Sequence, residues 1–304
     1  MSLDHLISRI HTEIPELLIL ENEPMSKHTS FRIGGPVRAL VQPCSAEEVA
    51  AVCRLLRDAG VKPLILGNGT NLLVTDEPLN RVAVQFGERM SAIVPEGEDA
   101  LRAECGVTLA RLAGEAQRLG LAGLEFAHGI PGSLGGGVSM DAGAYGGELK
   151  DVVVSTRYLD EELQLRECVG EEHDFAYRHS RFSDTDCVIL DSTVRLTPDD
   201  PDAIMERMMT LREKRRASQP LEMPSAGSTF KRPVGGYAAA LIDQAGLKGY
   251  AIGGAQVSEK HGGFVINRGG ATFDDVLRLI EHIRETVYRN SGITLETEVK
   301  IIRG

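Results

Sequence analysis

The sequence predicts a globular protein of mixed α and β structure, and three observations predict it. Its 304 residues are 42% hydrophobic, enough to bury a substantial core and, by length, to form roughly two or three domains. Up to residue 198, short apolar runs of strand character alternate with runs of helical period. Near residue 199 the character changes, as acids and a proline open a long helical pattern that closes on basic residues.

The elements follow in chain order. The N-terminal stretch MSLDHLISRIHTEIPELLIL carries Asp4, Arg9, Glu13 and Glu16 through its apolar positions, an amphipathic helical pattern and not a secretory leader. VRALVQP (37–43) alternates at period two, and Ser45 to Glu48 then matches a capping box for a helix ending at Gly60. KPLILG (62–67) and RVAVQF (81–86) read as buried strands, and TLARLAGEAQRLG (108–120) as a helix closed by glycine. VVVSTRYLD (152–160) and ELQLRECV (162–169) form an expected hairpin around Asp160, and CVILDSTVRL (187–196) a further strand. Residues 199–220 predict a long helix whose acidic start and basic end suit its dipole. GYAAALIDQAG (236–246) and TFDDVLRLIEHIRETVYRN (272–290) predict helices, and ITLETEVKII (293–302) a final strand. The expected division is therefore 1–198, in two lobes split near residue 90, followed by 199–304.

Composition excludes several functions. A net charge of −11 and a pI near 5.3 argue against a nucleic-acid carrier, which needs many phosphate-neutralising cations. The five cysteines are odd in number, widely spaced and without a C-x-x-C pair, so neither a disulfide framework nor a metal site is expected, and a reducing cytoplasm fits. No membrane span, internal repeat or low-complexity tract is expected. The oligomeric state is left open.

Two glycine clusters stand out: LGNGTNLLV (66–74) and GIPGSLGGGVSMDAGAYGGE (129–148), the latter with eight glycines. Neither has the G-K-[ST] of a P-loop, and Leu72 stands where a dinucleotide-binding G-x-G-x-x-G needs its last glycine. Asn68, Thr70, Asn71, Ser133 and Ser139 add small polar groups, so main-chain N–H groups could wrap a diphosphate without a lysine. Tight turns at sheet ends explain either cluster alone equally well. Two clusters separated by a strand and a helix favour a shared ligand.

Seven motifs in order, TSFRIGGP (29–36), LGNGTNLLV, GIPGSLGGGVSMDAGAYGGE, YRHS (177–180), PSAGSTFKRP (224–233), LIDQAGLKG (241–249) and LETEVKII (295–302), resemble the UDP-N-acetylenolpyruvoylglucosamine reductase family. The resemblance covers nearly the whole chain after residue 25. It implies an α+β flavoprotein of peptidoglycan precursor synthesis. A two-part FAD-binding region of the vanillyl-alcohol-oxidase type precedes a C-terminal α+β domain that closes over a UDP-sugar. It implies FAD contacts at Arg32, Gly67, Asn68, Gly69, Thr70, Asn71, Leu72, Gly129, Pro131, Gly132, Ser133, Gly135, Gly136, Asp141, Gly143 and Ala144, with the glycines bare because a Cβ would intrude on the cofactor.

The reaction so implied reduces an enolpyruvyl ether to a lactyl ether, with NADPH as the source of hydride and FAD as its carrier. By motif match, Arg178 would polarise the substrate carboxylate, Glu298 would stabilise the enol, and Ser228 would give a proton to the substrate carbon. Glu296 lies two residues from Glu298, on the same face of an expected strand; Glu298 is preferred for its place before V-K-I-I. Tyr177, Lys231, Arg232 and Lys248 are the expected substrate-binding residues, with Arg212, Lys214, Arg215 and Arg216 weaker candidates whose charge also fits dipole compensation. His261 and Asn267 also fall in a family motif, but a histidine at such a strand entry is commonly structural, and neither is placed in the catalytic set. Asp141 departs from an asparagine common in the family, and Arg232 from another. The short stretch before Arg178 marks the compact subtype. Two alternatives remain: an FAD-linked oxidase of an alcohol or sugar lactone, and a flavin-binding protein without turnover.

Overall fold

The computed structural model describes residues 2–304. The chain divides into two compact units. The first comprises Met1–Glu21, Ala39–Asn68 and Arg81–Lys214, and the second Asn22–Arg38, Gly69–Asn80 and Arg215–Gly304. A single cut near residue 199 therefore does not describe the contacts. The second unit also takes in 22–38 and 69–80, and the last division falls within a helix, after Lys214. Two segments far from the C-terminus in sequence supply Phe31, Ile33 and Leu73 to the C-terminal unit's core, which no local pattern reveals.

Seven α-helices are present among the described residues: α1 (Leu3–Glu13), α2 (Ala46–Asp58), α3 (Leu109–Arg118), α4 (Leu134–Ser139), α5 (Pro201–Ser218), α6 (Ala238–Gln244) and α7 (Phe273–Ser291). Six match the expected patterns; α4 arises inside the glycine cluster. The caps follow chemistry visible in the sequence. Ser45 Oγ accepts the Glu48 N–H, while Glu48 Oε2 accepts from the Cys44 N–H. Thr108 Oγ1 accepts from Arg111 N, opening α3.

In the first unit a five-stranded antiparallel sheet runs in the order Leu165–Val169, Val153–Leu159, Val188–Arg195, Ala100–Glu104, Ile93–Glu96. Its first pair is the hairpin expected around Asp160. α2 and α3 bury one apolar stripe each, Val49, Val52, Cys53, Leu55 and Leu56 on α2 and Leu109, Leu112, Ala113 and Ala116 on α3, in the same core. Leu64–Leu66 pairs in parallel with Leu79–Gln85, Leu64 beside Ala83.

A neutral polar network lies beneath this sheet. His173 is fully buried; its Nδ1 donates to the Gly170 carbonyl at 2.8 Å, so its Nε2 accepts from Thr156 Oγ1 at 2.9 Å. Thr156 in turn accepts from Ser192 Oγ at 2.9 Å. The ring stacks on Phe175 and meets Phe182 edge-on. Burial lowers the His173 pKa below its ordinary value, with the Arg181 charge adding to the effect.

The second unit holds a four-stranded antiparallel sheet in the order Ser225–Ser228, Phe264–Asn267, Ala255–Val257, Ala251–Ile252. α7 packs Val276, Leu279, Ile280, Ile283 and Val287 into its core. The expected strand 293–302 is paired as a strand only over Lys300–Ile302, in parallel with Leu72–Val74. Upstream, Thr297 makes an isolated bridge to Phe230, because these residues turn to meet the 229–231 segment. No helix among the described residues is long and apolar enough to cross a membrane.

Two stability predictions follow from caps and burial. Thr272 Oγ1 accepts the Asp275 N–H, and Asp275 Oδ2 accepts from both Thr272 N and Gly254 N. Thr272→Ala should lower unfolding stability by about 0.5–2 kcal/mol in urea titrations. His173 binds its proton less readily in the folded chain, so its contribution is full above the ordinary histidine value, about 6.5. That contribution declines as the pH falls from there through the depressed folded value. His173→Gln should flatten this part of the acid limb of a thermal-midpoint profile relative to wild type.

Candidate functional site

In the first unit the two glycine clusters meet. Asn68 Nδ2 donates to the Pro131 carbonyl at 3.0 Å, and a Cβ on Gly67 would stand 2.0 Å from Ser133 Oγ. The glycines here are bare largely because other parts of the chain press on them. A Cβ on Gly135 would meet Cys105 Cβ at 2.8 Å, and one on Gly137 would meet Leu149 Cδ1 at 2.8 Å. Packing of the chain is thus one reason these positions are bare, beside the expected approach of a cofactor. Gly136 differs, since its Cβ would meet nothing nearer than Ser133 Oγ at 3.6 Å. Gly129, Pro131 and Gly136 are exposed, and Gly67, Asn68 and Gly132 half-buried, so they form an accessible strip of small residues and main chain.

The donors of that strip are more restricted than a helix start suggests. The N–H groups of Leu134 and Gly135 already donate to the carbonyls of Val107 and Cys105. An anion there would have to use other donors, such as Gly136 and the 66–68 loop. Ser133 is buried and serves α4 as its N-cap residue.

Beyond α4, Gly143–Ala144 and Gly147–Glu148 form a tight hairpin, with Ala144 opposite Gly147. Tyr145 (φ 55°) and Gly146 (φ 93°) occupy its turn, the pair of positive φ values that a type I′ turn requires. Asp141, expected to reach the cofactor, is wholly buried and does not line the accessible strip. Its Oδ1 accepts the Lys150 N–H at 2.9 Å.

Arg178 lies against this segment. Its Nη1 donates to the Asp141 carbonyl and its Nη2 to the Gly143 carbonyl, both at 3.4 Å, long for hydrogen bonds. Its Cζ stands 5.1 Å from the Tyr177 ring centroid. Ser180 and Ser183 anchor the same loop by donating to the Ser139 carbonyl at 2.9 and 2.7 Å. Tyr145 and Tyr177 both expose their rings. Sequence reading singled out Arg178 but missed the Ser139–Gly143 carbonyls that carry its loop; Ser180 in YRHS was the available signal.

Arg178 belongs to the first unit, and Ser228 and Glu298 to the second. Within the second unit Ser228 ends the strand Ser225–Ser228, opposite Phe264. The Glu298 N–H donates to the Thr229 carbonyl at 2.9 Å, and Lys231 N donates to the Glu296 carbonyl at 2.9 Å. Two main-chain bonds thus lay the Ser228 and Glu298 segments side by side. Asn71, expected at the cofactor, donates its Nδ2 to the Glu298 carbonyl at 3.1 Å. Leu72 begins the strand Leu72–Val74.

The structure separates the two glutamates that the sequence placed on one face. Glu296 is exposed and its Oε2 lies 3.6 Å from Lys231 Nζ, while Glu298 is half-buried. They differ because residues 296–298 are held by single bonds to the 229–231 segment and not by a continuous strand. Lys248 Nζ donates to Asp243 Oδ2 at 2.8 Å, and Arg232 stacks over Tyr237 with Cζ 4.4 Å from the centroid. Arg32 is exposed in the left-handed conformation (φ 56°). Gly69 (φ 60°) is buried against His28, whose carbonyl would stand 2.0 Å from an added Cβ, and Thr70 beside it is half-buried.

Among the weaker candidates, Arg215 is buried, and the Arg216 carbonyl accepts from Lys260 Nζ. Asn267 is buried and bonded on both sides of its amide, to the Phe31 carbonyl and to the N–H groups of Gly269 and Ala271. His261 Nδ1 accepts the Gly263 N–H, and burial lowers its pKa. Both side chains make these hydrogen bonds within the second unit. No cluster of three or more metal-ligating side chains occurs among the described residues.

Comparison with known proteins covers both parts of the chain. Residues 37–168 match the FAD binding domain family, and residues 219–302 match the UDP-N-acetylenolpyruvoylglucosamine reductase C-terminal domain. The UDP-N-acetylenolpyruvoylglucosamine reductase of Caldanaerobacter subterraneus subsp. tengcongensis is 45% identical over 98% of both chains. That of Clostridium botulinum strain Hall is 45% identical over 93% of this chain and 92% of its own. The crystal structure of the Thermus caldophilus reductase is 30% identical, with a TM-score of 0.81 over 95% of this chain and 99% of that one. A grass pollen allergen with glucose dehydrogenase activity is 14% identical, with a TM-score of 0.50 over 64% of this chain and 44% of that one, a likeness of fold alone. The chain belongs to the UDP-N-acetylenolpyruvoylglucosamine reductase family.

Proposed function

We infer that this chain reduces UDP-N-acetyl-3-O-(1-carboxyvinyl)glucosamine to UDP-N-acetylmuramate in peptidoglycan precursor synthesis, with NADPH as reductant, in the cytoplasm. The observation that carries this reading is 45% identity to a family member over 98% of both chains. The likeness to the pollen allergen is one of fold alone, so the oxidase alternative has no comparable support.

The accessible strip of Gly67, Asn68, Gly129, Pro131, Gly132 and Gly136 fits a cofactor gripped by main chain and small side chains, since it offers polar backbone beside small groups. Bound FAD would supply the hydride relay. On this reading Gly67, Asn68, Gly129, Pro131, Gly132 and Gly136 would hold it, with Arg32 and Thr70 as further contacts from the second unit's sequence.

The chain's own residues would do the remaining work. Arg178 would pair its guanidinium with the substrate carboxylate, because a planar fork that stays protonated suits a charge growing on that group. Glu298 would stabilise the enol, and Ser228 would deliver a proton from Oγ to the substrate carbon that does not receive hydride. A serine hydroxyl is a weak acid, so the transfer makes sense only toward a strongly basic carbon. Tyr177, Lys231, Arg232 and Lys248 would bind the UDP-sugar. Release of Lys231 from Glu296 and of Lys248 from Asp243 is the requirement for either ammonium to meet a diphosphate.

Anaerobic mixing of the FAD-loaded protein with NADPH should bleach the flavin absorbance, and adding the enolpyruvyl substrate should restore it. Bleaching without substrate-dependent recovery would reject the reductase assignment. Ser228→Ala should leave bleaching by NADPH nearly unchanged while slowing recovery by about 10²–10⁴-fold. Equal slowing of both phases would remove Ser228 from the proton-donor role.

A further inference from the structure

Asp141 carries the one buried side-chain polar atom among the described residues that lacks a hydrogen-bond partner, its Oδ2. The residue is 0% exposed. An ionised carboxylate there would leave an acceptor oxygen with neither water nor donor, which buried charge does not tolerate. The surroundings offer no dedicated counter-ion. The Lys150 ammonium pairs with Glu148, Glu148 and Asp151 oppose a negative charge on Asp141 while Lys150 favours it, and α4 carries no titratable side chain. Arg178 directs its guanidinium to the Asp141 main-chain carbonyl. Burial, the largest influence, raises the Asp141 pKa above the usual carboxylate range.

A separate observation ties this side chain to Arg178. Asp141 (φ 44°) and Arg178 (φ 56°) both hold left-handed backbone, which non-glycine residues keep only where the surroundings enforce it. At Asp141 the enforcing contact is Oδ1 to Lys150 N. That bond, with Leu149 N to the Ala142 carbonyl, closes residues 141–150 into a ring containing the Tyr145–Gly146 turn. The Asp141 and Gly143 carbonyls that receive the guanidinium lie in this ring.

We propose that Asp141 is a positioning residue for Arg178: its neutral, protonated side chain latches residues 141–150 and thereby sets the two main-chain carbonyls against which the guanidinium is aligned. The inference rests on the role given to Arg178 above. The Lys150 N–H bond by itself favours the charged form, but burial and the charges of Glu148 and Asp151 oppose it; ionising Asp141 therefore requires the sealed ring to open to solvent, which misaligns Arg178.

The test uses the full FAD-loaded chain and single-turnover flavin recovery with the enolpyruvyl substrate across pH. In wild type the recovery rate should fall as pH rises through the Asp141 ionisation. Asp141→Asn, which keeps the acceptor oxygen and cannot ionise, should stay within about threefold of the low-pH rate and lack this alkaline fall. Asp141→Ala should recover about 10- to 100-fold more slowly at every pH, while bleaching by NADPH changes less than about threefold. An Asn variant with the wild-type alkaline fall, or one slowed as much as the Ala variant, overturns the proposal. If Asp141→Ala does not fold, the Asn profile alone decides. Recovery unchanged in Arg178→Ala would instead overturn the role of Arg178 itself.

Thermal midpoints give a readout independent of turnover. A carboxyl whose folded pKa is raised contributes most below its ordinary value, about 3.9, and loses that contribution as pH rises through the folded value. The midpoint of Asp141→Asn should therefore match wild type near pH 4 and exceed it increasingly at higher pH. A difference independent of pH would show that the buried carboxyl is not protonated in the native chain.

Discussion

Close approach of neighbouring side chains to glycine main chain is the constraint on which the rest of this structure depends. Where Gly67 meets Ser133, Gly135 meets Cys105 and Gly137 meets Leu149, no room exists for a Cβ. These contacts seat the short helix α4 on the first unit's core and bring the 66–68 loop against 131–133. With the side chains removed at those points, what remains on the accessible side is polar backbone and small residues, the surface a dinucleotide needs. Packing thus demands glycine at these positions, the residue type that main-chain recognition of a dinucleotide would also require. Gly136 is the position where the chain itself demands least.

The acidic balance of the molecule does not conflict with an anionic substrate, because charge is organised locally. Lys231 and Lys248 are each held by one exposed carboxylate, Glu296 and Asp243, and exposed pairs of this kind are weak enough for a diphosphate to displace. Arg178 also lies against the Asp141 and Gly143 carbonyls, each at 3.4 Å, and these contacts help to orient its guanidinium. The same economy appears in the second unit, where the main-chain bond from Glu298 to Thr229 places one glutamate in a half-buried setting while its neighbour Glu296 faces water.

Much of this was legible in the sequence, and the parts that were not share a cause. Ser45 and Thr108 announced their helices because a cap is a local bond between residues three apart. The 3.6-residue stripe of α7 and the hairpin around Asp160 were equally visible, since periodicity survives whatever the chain packs against. The site motifs were recognisable by order and content, and the family followed from them. The alternation through 293–302, by contrast, suggested a strand seven residues longer than the one that pairs. Alternation records which faces are apolar and not whether a neighbouring strand is present.

Local chemistry, then, was determined by the sequence alone: caps, turns, amphipathic faces, the glycine clusters and the identity of the catalytic candidates. Tertiary structure decided which segments share a core, giving residues 22–38 and 69–80 to the C-terminal unit. It also decided that Gly135, Gly137, Gly143 and Gly147 yield space to the chain itself, and that Asp141 is sealed from solvent beside the carbonyls that hold Arg178. The physical reason is that hydrogen bonds between near neighbours are encoded in short spacings, whereas burial and desolvation depend on groups that meet only after the chain has folded.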